Sequence, residues 1–547
     1  MSYLNYPDLL EKLLQKRGIL PDERDCFLNP DYKMLHDPIL LPDMEKARDR
    51  VISAINNSEH IAIYSDYDAD GIPGAVVLSD FFNRIKYENV SYYIPHRHDE
   101  GYGLNLEAID TIKERGAKLI ITVDCGISDC DEISYANSIG IEVIITDHHL
   151  PKSKFPDAYA IVNPKRPDSI YPFNELCGAA IAYKLIQAIL TKKNFGLKAG
   201  IEKWSLDMVG IATLSDMVPL VGENRILARF GLEVLRKTPR PGLQAIFKKI
   251  NINQKFITED DIGYMITPRI NAASRMGIPE DAFRLLSAKN QIEAEQLANH
   301  LEKINRERKG LVASMVKEAK KHLSGRENIS KVLVIGNPEW RPSLLGLIAN
   351  SLAEEYERPV FVWGKDGDGG IKGSCRTYNG YNLHELMTLA KDSFTEYGGH
   401  KGAGGFSISL ESLITLENKL SDLLDLIESD QQQESKYLML TQEVSLDDIN
   451  DSLWETISLL APFGISNEKP ILRLSGVPVR SIKTFGKSGE HLEITLGNGI
   501  KAISFFSKPE NHNLNQESSL RTLYAHIEKS YFRNKHEIRL RIISVEI

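Results

Sequence analysis

The sequence has few cysteines, no long apolar run and no excess of basic charge. Its five cysteines are Cys26, Cys125, Cys130, Cys177 and Cys375. They form no CxxC pair and no zinc-ligand spacing, which disfavours a disulfide framework and structural zinc. No apolar run approaches the roughly 18–20 residues of a membrane span. The first residues resemble no signal peptide, so we expect a cytoplasmic protein with no membrane partner.

The net charge is −9, whereas nucleic-acid-binding proteins usually carry a basic surface. This objection to a nucleic-acid partner fails if the acidic residues surround metal ions, because bound divalent cations invert the local charge. The 547 residues suffice for several domains, and 42 % hydrophobic and 26 % charged residues are ordinary for a globular protein.

Four short apolar runs rich in β-branched residues lie in the first third, at residues 61–64, 90–94, 119–123 and 143–146. Such runs are typical of strands that are buried on both faces. The segments between them, such as 106–115 and 130–138, have helical patterns. The alternation predicts a parallel sheet with helices on both faces, whose ligands bind at the carboxyl ends of the strands.

The rest of the chain divides into further units. An N-terminal segment, 1–50, precedes the predicted α/β domain at 51–280, and a long connecting helix follows at 281–325. Its apolar stripe comprises Leu297, Leu301, Ile304, Leu311 and Met315. A second α/β domain is predicted at 326–428 and a polar linker at 428–435. The strand-rich tail, 436–547, contains Asn498-Gly499, a strong hairpin signal, and predicts a small β-barrel.

Carboxylates and histidines follow the predicted strands. Asp66, Asp68 and Asp70 come after the first, Asp124 after the third, and Asp147, His148 and His149 after the fourth, while Asp216 interrupts an apolar segment further on. Taken singly, these residues have simpler explanations: capped turns, a helix cap or surface histidines. Together they should converge, because the carboxyl ends of parallel strands share one edge of the sheet.

Many carboxylates in one crevice cannot all stay ionised without a counter-charge. Two bound cations would supply it, and two metals ~3.5–4 Å apart are a common device for phosphoester cleavage. Oxygen and imidazole ligands without thiolates suit manganese or related ions.

These residues resemble the ordered motifs of the DHH phosphoesterases. The resemblance implies that Asp68, Asp70, Asp124, His148 and Asp216 hold two Mn²⁺ or Mg²⁺ ions. His149 would contact the scissile phosphate or assist proton transfer, and Asp66 would lie just outside the ligands as a catalytic candidate.

Further segments resemble the RecJ branch of that family: 93–97 with 100–105, 268–277, 373–376 and 398–405. The last two look like a DHH-associated substrate-binding domain, and the tail resembles an oligonucleotide-binding (OB) barrel. The resemblance therefore implies a 5′→3′ exonuclease for single-stranded DNA in repair and recombination. Departures from the pattern at 340–343, Ser274 and 72–74 suggest a divergent branch and touch no predicted metal ligand.

Glycine-rich loops and arginines suit phosphate binding. We expect Arg97, Ser374 and Arg376 to bind a terminal 5′-phosphate. Arg269 and Arg275, flanking an Asn-Ala-Ala turn, would follow the strand backbone, and His400, in a glycine-rich loop, would meet the phosphate nearest the metals.

The tail combines aromatic and basic residues that could stack on bases: Phe485, Lys487, His491, Phe505, Phe506, Lys529, Tyr531, Phe532 and Arg533. One of Phe505 and Phe506 is expected to point into the barrel core instead.

Two alternatives to the exonuclease stay open. One is a DHH phosphodiesterase for short oligonucleotides or cyclic dinucleotides, against which the extra barrel argues. The other is a non-catalytic repair scaffold, against which the intact motifs argue. The expected partners are single-stranded DNA and possible repair proteins such as single-strand-binding protein or a helicase, with the chain a monomer.

Overall fold

The computed structural model describes residues 6–547, except 98, 153, 327, 368, 379, 428–439, 487–488, 513, 515–518 and 533–534; the side chains of residues 6, 531, 532 and 535 are also left out. The predicted linker at 428–435, Lys487 and Arg533 thus lie outside the described residues, as do the side chains of Tyr531 and Phe532. No helix in the described part of the chain is long and apolar enough to cross a membrane.

The first domain contains a five-stranded parallel sheet. Its strands are β1 (His60–Ser65), β2 (Val90–Tyr93), β3 (Ala117–Val123), β4 (Glu142–Thr146) and β5 (Ala160–Val162). Their order is β2-β1-β3-β4-β5, so β1, β3 and β4 are neighbours at the centre. The predicted α/β class is confirmed. The prediction that β2 is buried on both faces was wrong: it is an edge strand, and all its residues are partly exposed.

Helices surround this sheet and extend it into a mostly helical lobe. They are α1 (Tyr6–Lys16), α2 (Arg24–Leu28), α3 (Met44–Asn56), α4 (Gly71–Arg84), α5 (Leu106–Glu114), α6 (Cys130–Ser138), α7 (Gly178–Lys192), α8 (Leu206–Ser215), α9 (Gly222–Leu235), α10 (Pro241–Ile250), α11 (Glu259–Asp261) and α12 (Thr267–Met276). A π-helical turn, Ile262–Ile266, joins the last two. One apolar core packs α4, α7 and α8 against the sheet.

The single long helix predicted from residue 281 is two helices. These are α13 (Glu280–Ser287) and α14 (Gln291–Ser324). The break occurs because Asn290 has an extended backbone and its side chain accepts a hydrogen bond from the Glu293 amide at 2.9 Å, which starts a new helix. The predicted stripe is buried except for Leu311, which is 39 % exposed.

The second α/β domain follows α14. It comprises β6 (Leu333–Gly336), α15 (Pro342–Tyr356), β7 (Val360–Lys365), β8 (Ile371–Arg376), α16 (Leu383–Leu389), β9 (Glu396–His400), β10 (Ala403–Ile408) and α17 (Leu410–Leu424). The strands form a mixed sheet in the order β6-β7-β8-β10-β9.

The C-terminal region is strand-rich, as predicted. Its elements are β11 (Thr441–Glu443), the helix Asp451–Ser458, β12 (Ile471–Val477), β13 (Val479–Phe485), β14 (His491–Leu496), β15 (Lys501–Ser504), β16 (Leu520–Phe532) and β17 (Lys535–Glu546). The strands form one sheet in the order β11-β12-β16-β17-β15-β14-β13.

The hairpin predicted at Asn498-Gly499 is confirmed between β14 and β15. The expectation that Phe505 or Phe506 fills the core was wrong. Both residues follow the end of β15, where alternation no longer applies; Phe505 is partly exposed and Phe506 is 85 % exposed.

The N-terminal helix belongs to the core of the C-terminal region. Leu9, Leu13 and Leu14 are buried in the same apolar cluster as the sheet residues of that region. Arg17 extends the contact, since its Nε donates to Asn467 Oδ1 at 3.0 Å. The predicted N-terminal segment is therefore divided between two structural units.

Candidate metal centre and substrate cleft

The carboxyl ends of three neighbouring strands meet at one edge of the parallel sheet. Residues 66–70 follow β1, Asp124 follows β3, and Asp147, His148 and His149 follow β4. Asp216, at the end of α8, reaches the same place. The convergence predicted from the sequence is present, although one contributor comes from a helix.

His148 lies at the centre of the cluster. Its Nε2 is 3.1 Å from Asp124 Oδ1, 3.7 Å from Asp216 Oδ2 and 3.8 Å from Asp70 Oδ2. All four side chains except Asp216 are almost fully buried. A neutral imidazole nitrogen among carboxylate oxygens is a ligand set that divalent transition metals accept.

The side chains divide into groups whose possible ligand atoms lie within 4.8 Å of one another. One group is Asp66, Asp68 and Asp124; another is Asp70, His148 and Asp216. A third joins Asp124 to both histidines. Asp124 therefore stands between two potential metal positions. Asp66, expected outside the ligands, lies within a ligand group.

Backbone amides orient two of the aspartates. Asp68 Oδ1 accepts hydrogen bonds from the amides of Asp70 and Gly71, at 2.7 and 3.1 Å, as α4 begins. The two Asp70 oxygens accept from Gly178 and Ala179, at 2.6 and 2.8 Å, in the first turn of α7. The unpaired amides at a helix N-terminus thus position the Asp70 carboxylate.

Asp147 orients the histidines rather than joining the cluster. Its Oδ1 accepts hydrogen bonds from the amides of His148 and His149 and from His149 Nδ1, the last at 2.8 Å. Burial alone would raise the pKa of Asp147, but the hydrogen bond from His149 and the charges of both histidines hold it at about 2. With Nδ1 bonded to Asp147, the Nε2 of His149 remains available for proton transfer or phosphate contact.

Burial and mutual repulsion make it unfavourable for all the carboxylates of the cluster to be ionised together. Burial, then Asp68, raise the pKa of Asp70 to about 7, and burial, then Asp70, raise the pKa of Asp216 to about 9. Burial and neighbouring carboxylates likewise raise the pKa of Asp66 and Asp124. Burial lowers the pKa of His148 to about 3, so this histidine is neutral at physiological pH.

The residues fit a divalent metal centre. Asp66 Oδ1, Asp124 Oδ1, His148 Nδ1 and Asp216 Oδ2 are buried and have no hydrogen-bond partner in the described part of the chain. Buried polar atoms are normally satisfied, and buried charges are normally paired or coordinated to metals. Bound cations would satisfy the carboxylates and would also remove the mutual repulsion that raises their pKa values.

Gly178 provides the space that Asp124 occupies. A Cβ at position 178 would lie 2.5 Å from the Cβ of Asp124 and 2.9 Å from its Cα. We expect Gly178→Ala to displace Asp124 and to weaken Mn²⁺ binding by about 10–100-fold, the range found when supports of metal ligands are altered. Isothermal titration calorimetry with Mn²⁺ measures this.

The matched control for this substitution is Gly263→Ala, because a Cβ at position 263 would meet nothing within 4 Å. That variant should bind Mn²⁺ as the unmodified protein does. Unchanged affinity in Gly178→Ala would contradict the role of Gly178.

Several predicted phosphate ligands lie near the contact between the two α/β domains. The Arg97 guanidinium lies 4.9 Å from the ring centroid of Tyr67, beside Asp66 and Asp68. From the second domain, Arg376 Nη1 donates to Ser374 Oγ at 3.0 Å. Burial, then the charges of Arg97, Arg308 and Arg376, lower the pKa of Arg275 to about 9, so these three arginines all lie within electrostatic range of Arg275.

Three details differ from the sequence predictions. The segment with Arg269 and Arg275 is helix α12 rather than a turn. Arg269 is buried, and its guanidinium forms an ion pair with Glu302 at 2.7 Å. Its contact with the DNA backbone stays a prediction, and it would require this guanidinium to leave Glu302 or to bind both groups. His400 ends strand β9, where it is exposed, and no potential metal group among the described residues includes it.

Sequence reasoning missed the hydrogen-bonding role of Tyr102. Its hydroxyl donates to the Asp124 carbonyl at 3.1 Å and lies 3.1 Å from His149 Nδ1. The flanking glycines at 101 and 103, both with positive φ, are the local signal of a specially shaped loop. The support of Asp70 by Gly178 was also missed, because it comes from a residue 108 positions away.

The fold and the site are those of the DHH class: a parallel sheet whose strands end in aspartates and paired histidines, followed by a second α/β domain. The family model for the DHH family, N-terminal domain, matches residues 60–213. The DHHA1 domain matches residues 328–432, and the RecJ OB domain matches residues 441–544, which confirms the predicted OB-fold.

Comparison with curated relatives identifies the family within the DHH class. The chain is 35 % identical over 503 residues to the single-stranded-DNA-specific exonuclease RecJ of Bacillus subtilis, covering 90 % of this chain and 62 % of the relative, which is less than two thirds of its length. It is 32 % identical to the Escherichia coli protein of the same name, covering 76 % of this chain and 75 % of that one. The chain belongs to the RecJ family.

Solved structures agree with this assignment. RecJ from Thermus thermophilus in complex with Mn²⁺ matches with a TM-score of 0.78 at 25 % identity, covering 98 % of this chain and 76 % of that one. An exonuclease RecJ bound to manganese matches with a TM-score of 0.60 at 29 % identity, covering 72 % of this chain and 97 % of that one.

Proposed function

We propose that this protein is a metal-dependent 5′→3′ exonuclease that hydrolyses single-stranded DNA and releases 5′-mononucleotides, in DNA repair and recombination. The observation that carries the proposal is the cluster of buried carboxylates around His148, near several arginines, in a chain of the RecJ family. The named relatives are exonucleases specific for single-stranded DNA, and two solved relatives hold Mn²⁺.

Two Mn²⁺ or Mg²⁺ ions would be held by Asp68, Asp70, Asp124, His148 and Asp216. Asp66 is a sixth candidate ligand, because its carboxylate lies within one of the potential ligand groups. When bound, such ions lower the pKa of a coordinated water and neutralise charge on a phosphate. The chain itself contributes His149, whose Nδ1 is fixed by Asp147 and whose Nε2 would contact the scissile phosphate or transfer a proton.

The second domain would hold the DNA end. Arg97, Ser374 and Arg376 would bind the 5′-phosphate, Arg269 and Arg275 would contact the backbone, and His400 would meet a phosphate near the metals. One guanidinium group can donate two parallel hydrogen bonds to a phosphate, so arginine side chains suit these contacts. We also propose a cytoplasmic location and a monomer whose partners include single-strand-binding protein or a helicase. The predicted domain limits are kept as a proposal, except that residues 1–50 are divided between two structural units and residues 281–325 span two helices.

Stacking on aromatic side chains would hold the rest of the DNA strand. The rings of Phe485, His491 and Phe505 lie within 6.2 Å of one another, and Arg541 lies over Phe505 at 5.0 Å. Partly exposed aromatic rings beside an arginine suit single-stranded nucleic acid, because every base offers a face for stacking. Such a surface would be superfluous for a cyclic dinucleotide.

The test uses single-stranded DNA labelled at its 5′ or its 3′ end, incubated with Mn²⁺ or with EDTA. We expect early release of labelled mononucleotide from the 5′ end only, and complete inhibition by EDTA. Products resolved on a denaturing gel give both the polarity and the product length.

Other outcomes of this experiment would contradict the proposal. Early release from the 3′ label, or cleavage of very short oligomers alone, would assign the chain to another type of phosphodiesterase. Absence of metal-dependent cleavage would favour a scaffold. Equal cleavage of blunt duplex DNA would refute the specificity for single strands.

A further inference from the structure

Helix α14 is shared by two separate cores. Leu297, Leu301 and Ile304 pack in the core of the first domain, whereas Met315 and Leu323 pack in that of the second. None of residues 306–314, between these parts, is buried. Half-buried Val312 packs against the core of the second domain, but the bridge otherwise gains little stabilisation from packing.

Gly310 lies in the middle of that bridge. A Cβ at position 310 would meet nothing within 4 Å, so packing does not require a glycine there. Glycine weakens a helix interior relative to alanine because it loses more backbone entropy on folding. Residues 306–314 alone are therefore expected to hold the distance between the two domains only weakly.

A reciprocal pair of hydrogen bonds joins the domains beside the bridge. Arg275 Nη1, on α12, donates to the Ser343 carbonyl at 2.6 Å, and Ser343 Oγ, in the first turn of α15, donates to the Arg275 carbonyl at 2.8 Å. Ser343 is only 5 % exposed. Met276, the next residue, packs against both cores. Two bonds running in opposite directions fix orientation as well as distance.

The hydrogen bonds between Arg275 and Ser343 hold α12 against α15, although positive charges near them repel one another. Arg97 belongs to the first domain, Arg308 to the bridge and Arg376 to the second domain, and all three charges act on Arg275. Among the residues that the structure describes, Arg97, Arg308 and Arg376 have no ion pair. Positive charges in a partly desolvated cleft repel one another until an anion enters.

We propose that Ser343 is a positioning residue for the substrate cleft: its hydrogen-bond pair with Arg275 holds Arg376 of the second domain at a fixed distance from the carboxylates of the first. This inference rests on the proposed function, because it takes DNA phosphates as the anions that occupy the cleft. A preformed cleft binds its ligand without first having to order the two domains.

The test is Ser343→Ala, which removes the hydroxyl but keeps the carbonyl that accepts from Arg275. We expect the KM for 5′-phosphorylated single-stranded DNA to rise roughly 3–10-fold, the effect of one hydrogen bond, while kcat changes less than about twofold. Hydrolysis of bis(p-nitrophenyl) phosphate should not change, because this small ester needs only the carboxylates of the first domain.

Two further variants sharpen the result. Ser351→Ala makes the same chemical change on α15, at a side chain remote from the Arg275 pair, and should leave the KM unchanged. Gly310→Ala, added to Ser343→Ala, should recover part of the lost affinity because it stiffens the bridge. An unchanged KM in Ser343→Ala, or an equal loss on both substrates, would overturn the proposal.

Amide hydrogen exchange separates this inference from the proposed function. Amides at residues 343–347 should exchange at least about fivefold faster in Ser343→Ala than in Ser351→Ala, whether or not DNA is the substrate. Equal exchange in the two variants would overturn the positioning role, whereas failure of the unmodified protein to hydrolyse single-stranded DNA would refute the proposed function alone.

Discussion

The Asp124→Asn variant should lose nearly all nuclease activity while keeping its fold. Asp124 belongs to two of the three potential ligand groups, so its loss affects both metal positions. Altering residues that only support metal ligands costs about 10–100-fold, and replacement of a shared ligand should therefore cost at least about 100-fold. The initial rate of mononucleotide release from 5′-labelled DNA measures this loss.

Asparagine is the correct replacement because of the backbone at this position. Asp124 has φ 62°, a left-handed conformation that asparagine tolerates far better than alanine. Asparagine also keeps the size of the side chain, against which Gly178 packs. We expect Asp124→Ala to be inactive as well, but to melt at a lower temperature than Asp124→Asn.

The control is Asp131→Asn, the same change at an exposed position on α6. It should leave the rate within about twofold of the unmodified protein, as surface substitutions usually do. If Asp124→Asn retained comparable activity, the assignment of the metal centre would be refuted. Circular dichroism and thermal melting establish that any loss does not come from unfolding.

The strands and the metal cluster could be predicted because their signals are local. Runs of β-branched residues predict buried strands, and an aspartate directly after such a run is costly unless it has a function. The parallel arrangement then fixes which ends meet. The sequence therefore predicts that Asp68, Asp124 and His148 lie together at one edge of the sheet.

Other features depend on contacts between distant parts of the chain. The Asp70 carboxylate is oriented by amides at positions 178 and 179, and Arg17 of the N-terminal segment bonds to Asn467. Strand order is also set by such pairings, so nothing in the β2 run reveals that it lies at the edge. The three-residue strand β5 is too short to produce a periodic signal.

Lys184→Met should strongly destabilise the first domain. Lys184 and Glu223 are fully buried, with Nζ 2.6 Å from Oε1. Glu223 also accepts hydrogen bonds from Tyr171 and from the His36 amide of the N-terminal segment. Removing the lysine leaves a buried carboxylate without its counter-ion, which costs roughly 3–5 kcal/mol.

Differential scanning calorimetry can measure this cost. For a domain of this size, such a loss lowers the melting temperature by roughly 6–20 °C. Lys192→Met is the matched control on the same helix: its ion pair with Asp49 is about half exposed on both sides, so its loss should cost less than about 1 kcal/mol. Lys184→Met/Glu223→Gln should recover part of the stability, because a neutral amide needs no counter-ion yet still accepts hydrogen bonds. Equal melting temperatures for the two single variants would show that the buried pair does not hold the N-terminal segment against the first domain.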